Sequence, residues 1–258
     1  MSKNIDGIYN YCDRWCERCT FTSHCAVYED ETDLAPEEKD MQNKAFWERL
    51  GQNFSKAQDI LQKAAAHFGA DVDADPHQEE EKQKRQEQIK KESREHPLSK
   101  LTLQYSDQSR IWLKTQPGML DRLETLKTEL TIGIETEADA RRKTEIIKDS
   151  LAVIQWYQVF IHVKLMRAIM GKLSNDGWAE ENGFQTDFDG SAKIALIAIE
   201  RSMHAWSALF EILPGREDDF LRILALLEKI KNIVTEEFPK AEGFVRPGFD
   251  DYPALAIR

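Results

Sequence analysis

Four cysteines, Cys12, Cys16, Cys19 and Cys25, stand within fourteen residues in a C-x3-C-x2-C-x5-C spacing, and the chain holds no others. Thiolates are soft ligands for Zn²⁺ and for the irons of iron–sulfur clusters. The two residues between Cys16 and Cys19 let both sulfurs face one centre across a tight turn, with Cys12 and Cys25 closing a four-ligand set from either side. Four thiolates around Zn²⁺, or around an oxidised [4Fe–4S] core, leave the site doubly negative. Arg14 and Arg18, between the ligands, are placed to offset that charge, and Tyr11, Trp15, Phe21 and Tyr28 to shield it from solvent. His24 is a further candidate ligand, although a solvent-facing loop histidine is its simpler role. The plainest alternative is four thiols that merely pack, since buried cysteine is common. The charged neighbours Asp13, Arg14, Glu17 and Arg18 argue against it.

Structural zinc commonly uses two separated knuckles, each with its own short cysteine pair. Here one compact segment supplies all four ligands, which favours iron–sulfur ligation, [4Fe–4S] in particular, with Zn as the alternative. The C-x3-C-x2-C start resembles the radical-SAM cluster motif, but that family needs an α/β barrel and no strand–helix alternation is present to build one. From Cys16 to Cys25 the text C-E-R-C-T-F-T-S-H-C, of the form C-x2-C-x-F-x3-C, resembles the iron–sulfur clasp of RecB-like nucleases. That resemblance implies a [4Fe–4S] cluster that pins the fold. It spans ten residues. The fourth cysteine here, Cys12, is adjacent rather than remote, and no strand-borne acidic-acidic-lysine signature accompanies it, so the resemblance carries the cluster type and not the nuclease activity.

A second set of candidates lies in the C-terminal half. Gln155, Gln158 and His162 follow i, i+3, i+7, and Glu200, His204, Ser207 and Glu211 follow i, i+4, i+7, i+11. If the two stripes faced each other, His162, Glu200 and His204 would be the candidate catalytic or metal-binding groups of a bundle-core site. The simpler reading turns both stripes toward solvent or makes His162 a hydrogen-bonded core histidine. No histidine has a glutamate three residues earlier, as a ferritin-like di-iron site requires, and no His-Asp pair, Walker loop, G-x-S-x-G elbow or H-E-x-x-H occurs.

The elements that must position these residues read as helices throughout. Phe46, Leu50, Phe54, Ala57, Leu61, Ala64 and Phe68 form one stripe over 37–68, with Gly69 as a stop. From Gln78 to His96 six acidic and six basic residues surround a lone aliphatic Ile89, the composition of a partly helical, mobile linker. A helix from Ser99 breaks at Pro117-Gly118 and resumes from Met119 to Leu130. A long helix from Glu137 to Lys172 is apolar nearly all round between Leu151 and Met170, as a central helix would be. Asp189-Gly190-Ser191 offers N-capping groups for a helix to Leu213, another runs from Glu217 to Phe238, and the tail looks extended with aromatics to dock it.

The expected fold is therefore all-α, a helical bundle with an N-terminal four-cysteine metal-binding segment. Its divisions are a cysteine-rich segment (1–34), an amphipathic helix (35–70), a charged linker (71–97) and a helical bundle with an extended C-terminal tail (98–258). The composition, 41% hydrophobic and 31% charged with a net charge of −11, disfavours bulk attraction to nucleic acid or anionic membrane. Lys164, Arg167, Lys172, Lys193, Arg201 and Arg246, with Arg141, Arg142, Lys143 and Lys148, could still form a local basic patch. No secretory h-region opens the sequence, and the uncharged stretch 150–163 is too short for a bilayer. Clustered cysteines cannot staple distant parts of a chain, which points to a reducing, cytoplasmic compartment. The functional expectation is an interaction or redox-sensing module for a protein partner, leaning away from an enzyme. A redox enzyme or electron-transfer component, and a nucleic-acid-associated factor with a structural cluster, are the alternatives.

Overall fold

Alanine, leucine, glutamate, glutamine and lysine dominate the periodic stretches, and the chain answers with helices. The computed structural model describes residues 4–32, 34–68, 76–115, 119–213, 215 and 217–251, and no strand occurs among them. Two compact units divide the chain: residues 1–10 with 14–88, and residues 11–13 with 89–258.

The first unit begins as a series of turns. Gly7 takes a left-handed φ of 74°, and 3-10 turns follow at Ile8–Asn10, Cys16–Arg18 and Thr22–His24. The Ile5 N–H donates to the His24 carbonyl at 2.9 Å, and the Asn4 amide donates to Glu29 at 2.8 Å, closing the opening segment on itself. Helix α1 (Ala26–Thr32) is short, and α2 (Pro36–Lys39) starts at a proline with the Glu38 carboxylate accepting the Ala35 N–H at 3.0 Å. Helix α3 (Lys44–Phe68) carries the expected stripe, yet Trp47, Phe54 and Leu61 are exposed. The expected Gly69 stop lies outside the described residues.

The charged segment expected as a linker is a continuous twenty-residue helix, α4 (Pro76–Glu95). Its C-terminal end buries Ile89 and Ser93, which anchors a stretch whose composition alone gives no apolar face.

The second unit holds α5 (Pro97–Thr115), α6 (Met119–Thr131), α7 (Glu137–Ser174), α8 (Trp178–Glu181), α9 (Asp187–Ile212) and α10 (Glu217–Glu237). The Pro117-Gly118 break lies outside the described residues. Helix α7 packs along α9 and α5, and α10 packs against both α9 and α5. Ile154, Tyr157, Ile161, Leu165 and Ala168 make the inner face of α7. Val159 and Val163 on its other side are exposed, so α7 is not buried all round. The central helix is α9: fourteen of its 26 residues are buried, against eight of 38 in α7. Its small residues explain this, because Gly190, Ser191, Ala192, Ala195 and Ala198 let neighbours approach closely. A Cβ on Gly171 of α7 would sit 3.0 Å from the Cβ of Phe188, which measures how close the two helices run. Trp206, fully buried, meets Trp112 edge-on with centroids 4.9 Å apart and donates its indole N–H to the Tyr105 hydroxyl at 3.3 Å.

Capping sharpens the ends. The N-cap of α9 is Thr186, three residues before the expected Asp189: its hydroxyl accepts the Asp189 N–H at 3.3 Å and donates to the Asp189 carboxylate at 2.5 Å. Asp189 is thus the reciprocal partner of the cap rather than the cap itself. Thr136 caps α7 in the same way. At the C-terminal ends, Lys172 donates to the Glu237 carbonyl at 2.7 Å and the Arg122 Nε to the Ile212 carbonyl at 3.1 Å. The tail folds into turns as far as residue 251 and buries Phe244; the remainder lies outside the described residues.

Candidate metal centre

The spacing between the cysteines is realised as 3-10 turns. The Cys19 N–H donates to the Cys16 carbonyl at 3.1 Å, so the C-x2-C pair brackets a single turn, and the Cys25 N–H closes a second turn on the Thr22 carbonyl at 3.3 Å. The Phe21 N–H points at the Cys19 sulfur at 3.4 Å. A backbone N–H aimed at sulfur stabilises negative charge there and is one of the contacts by which proteins tune thiolate-bound metals. Arg18 lies over the Trp15 ring, 3.9 Å from its centroid. All four cysteines are of intermediate exposure. Among the described residues, no group of three or more His, Cys, Asp or Glu side chains stands in an arrangement that could hold a metal ion.

Cys12 has a different setting from the other three. It lies between Tyr11 and Asp13, and these residues belong to the same compact unit as the helical bundle. Asp13 is held by three side chains. The Tyr157 hydroxyl donates to its carboxylate at 2.7 Å, Arg201 donates to the same oxygen at 2.5 Å, and the Trp156 indole N–H donates to its backbone carbonyl at 3.0 Å. Arg201 also donates to the Tyr157 hydroxyl at 2.6 Å, closing a three-membered cluster. Burial, with the Asp13 carboxylate beside it, pushes the Tyr157 phenol up to about 12.

On the other side of Cys12, the Tyr11 hydroxyl donates to Asp187 at 3.0 Å, and Arg167 grips that carboxylate with two bonds of 2.6 and 3.0 Å. Burial and then Asp187 push the Tyr11 phenol up to about 12. The Tyr11 ring packs against Phe244, centroids 4.6 Å apart, and covers Gly190, where a Cβ would come within 2.4 Å of it. Immediately beyond Asp13, Arg14 adopts a φ of 59°, the only positive φ among the described non-glycine residues. Such a conformation costs about 1–2 kcal/mol and persists only where its surroundings impose it.

The polar stripes of α7 and α9 turn to different neighbours. His162 meets α5, its Nδ1 lying 2.8 Å from the Thr102 hydroxyl. The same hydroxyl lies 2.8 Å from the Leu98 carbonyl, and the tautomer of His162 decides which group donates between ring and hydroxyl. Burial lowers the His162 pKa from 6.5. Glu200 instead pairs with Lys231 of α10 at 2.9 Å, and His204 is exposed. The structure therefore gathers His162, Glu200 and His204 into no common site. Several members of the expected basic patch are spoken for as well: Arg167 by Asp187, Arg201 by Asp13, and Lys193 and Arg246 by Asp250 at 2.9 and 2.8 Å.

Sequence reasoning singled out Tyr11 as a shield and missed Asp13, Tyr157 and Arg201 altogether as a cluster. Their partners lie 144 and 188 positions from Asp13, beyond any local spacing rule. No family model, curated protein or solved structure matches the chain. No helix among the described residues is long and apolar enough to cross a membrane.

Proposed function

We propose that Cys12, Cys16, Cys19 and Cys25 bind a [4Fe–4S] cluster, with Zn²⁺ as the alternative occupant, and that the helical body serves as an interaction or redox-sensing module for a protein partner in a reducing compartment such as the cytoplasm. The observation that carries the reading is the C-x2-C turn from Cys16 to Cys19 with the Phe21 N–H directed at the Cys19 sulfur. When bound, such a cluster supplies an electron-accepting, oxidant-sensitive centre. The chain's own residues do the rest. The 3-10 turns set the ligand spacing, the N–H to sulfur contact favours the charged ligand, and Tyr11 and Asp13 fix the first cysteine against the bundle.

The test is metal and sulfide analysis of anaerobically purified protein, with optical spectra and EPR after reduction. Bound iron and sulfide with broad visible absorbance, all lost in Cys16→Ser, are expected. Colourless protein carrying one equivalent of zinc reassigns the occupant. Protein that purifies without metal and takes up neither iron nor zinc on reconstitution overturns the proposal.

A further inference from the structure

The stripe on α3 has the spacing of a helix that meets another helix. Trp47, Leu50, Phe54, Ala57, Leu61 and Ala64 follow one another in alternating steps of three and four, and the sequence carries the step on to Phe68. A repeat of about 3.5 residues keeps one seam toward a partner helix along its whole length. No described residue of α3 is buried, and Trp47, Phe54, Ile60 and Leu61 each leave more than half of their surface exposed. The Trp47 indole N–H is bonded to the Met41 carbonyl at 2.9 Å, so its exposed ring has no donor left to offer water. We infer that α3 is a self-association helix that pairs antiparallel with α3 of a second copy of this chain. The inference is independent of any metal at the cysteines.

The seam fits itself. With the two helices antiparallel, Trp47 faces Ala64 of the second copy, Phe54 faces its Ala57, and Leu50 faces its Leu61. Each aromatic layer then joins a ring to a methyl group, and the layer between them holds two leucines, which gives an even width. Parallel pairing would crowd Trp47 against Trp47 and leave Ala57 facing Ala57. One segment that supplies both halves of its own fit is what a two-fold pair requires. Charge agrees with this occupant. The residues flanking the seam, Phe46, Gly51, Asn53, Gln58, Ile60 and Ala65, are uncharged, and Arg49, Lys56 and Lys63 lie toward the outer face, so two copies bring no like charges together. The area is sufficient too: the exposed apolar side chains offer roughly 600 Å² per copy, about 1,200 Å² for a pair, within the range of specific interfaces. Gly51 stands in mid-helix beside the seam, where glycine weakens a helix relative to alanine. An added Cβ there meets nothing within 4 Å, so no packing inside the chain calls for glycine, whereas the close approach of a second helix does.

The experiment is sedimentation equilibrium of the full chain up to about 100 µM, for wild type, Phe54→Lys, Ala57→Glu, the double variant Phe54→Lys/Ala57→Glu, and Gln52→Glu on the outer face. All three positions are exposed, and far-UV circular dichroism checks that each variant keeps its helices. Wild type is expected to form a dimer that dissociates in the micromolar range, and each single seam variant to weaken it about tenfold or more. Gln52→Glu should leave it unchanged. In the double variant an antiparallel pair sets opposite charges face to face, whereas a parallel pair opposes like charges, so association should recover relative to both single variants. A wild type that stays monomeric throughout overturns the inference. So does a dimer that Phe54→Lys and Ala57→Glu leave intact, because another surface then holds it. A double variant no stronger than the single ones overturns the antiparallel pairing.

Discussion

Cys12 and Cys19 are seven residues apart and are held by opposite means. Around Cys19 a 3-10 turn closes over three residues and an N–H two positions along meets the sulfur, both local restraints. Around Cys12 the restraints are side chains from α7 and α9, reaching across 144 to 188 positions of sequence. Local turns form and melt with the segment itself. Long-range bonds exist only while the bundle is folded. Damage to the bundle should therefore be felt at Cys12 before it is felt at Cys19, and damage to the turns should leave the bundle intact.

The largest effect that would sharpen this contrast comes from the core. Trp206→Ala should destabilise the bundle by about 3–5 kcal/mol in urea titrations, because it empties a site packed against Trp112 and Phe220. Next, Gly190→Ala should cost about 1–3 kcal/mol, since the new methyl group enters the space of the Tyr11 and Phe244 rings. That loss should be accompanied by release of Tyr11, read as faster ionisation of its phenol in stopped-flow pH jumps. An unchanged Tyr11 in Gly190→Ala would break the comparison, since it would mean that the flank of Cys12 does not depend on α9.

Tyr157→Phe should cost about 1 kcal/mol at neutral pH. It should also flatten the alkaline limb of stability. With the folded phenol at about 12 and a reference value of 10.0, the unfolded chain gives up this proton first. The contribution is therefore complete below pH 10 and disappears as pH rises toward 12. At the acid end the sign reverses for His162. Burial lowers its pKa from 6.5, so the unfolded chain takes up the proton first and stability falls as pH drops below that value. His162→Gln should remove this fall, as thermal melts across the mildly acidic range would show. The smallest expected change is at Arg14, where Arg14→Gly relieves the left-handed backbone and raises stability by about 1 kcal/mol or less, with no effect on the core.

The helices themselves were legible because periodicity and capping are local. The long helix from Glu137, the helix from Met119 and the start at Glu217 all follow from residues within one or two turns. What covers a helix was not. Helices α3 and α9 have nearly the same length and both carry apolar stripes, yet α9 lies in the core and Trp47, Phe54 and Leu61 of α3 face outward. An apolar stripe states which face is apolar and not what meets it. Small residues were the overlooked clue, since Gly190, Ala192, Ala195 and Ala198 allow the close packing that makes α9 central. The charged stretch before residue 97, expected as a partly helical linker, is helical over Pro76–Glu95, and what composition could not show is that Ile89 and Ser93 near its end are buried. At the candidate centre, the cysteine spacing could be read directly. The cluster at Asp13 could not, because no pattern joins an aspartate near the start to a tyrosine and an arginine in the second half.

The indole of Trp156, on the half-open side of α7, is bonded to the carbonyl of the residue that follows Cys12. In a variant with Trp15, Trp47 and Trp178 replaced and the buried pair Trp112 and Trp206 kept, its emission would contribute a native optical gauge. The colour of that light would report, without an added label, whether Asp13 is seated against α7.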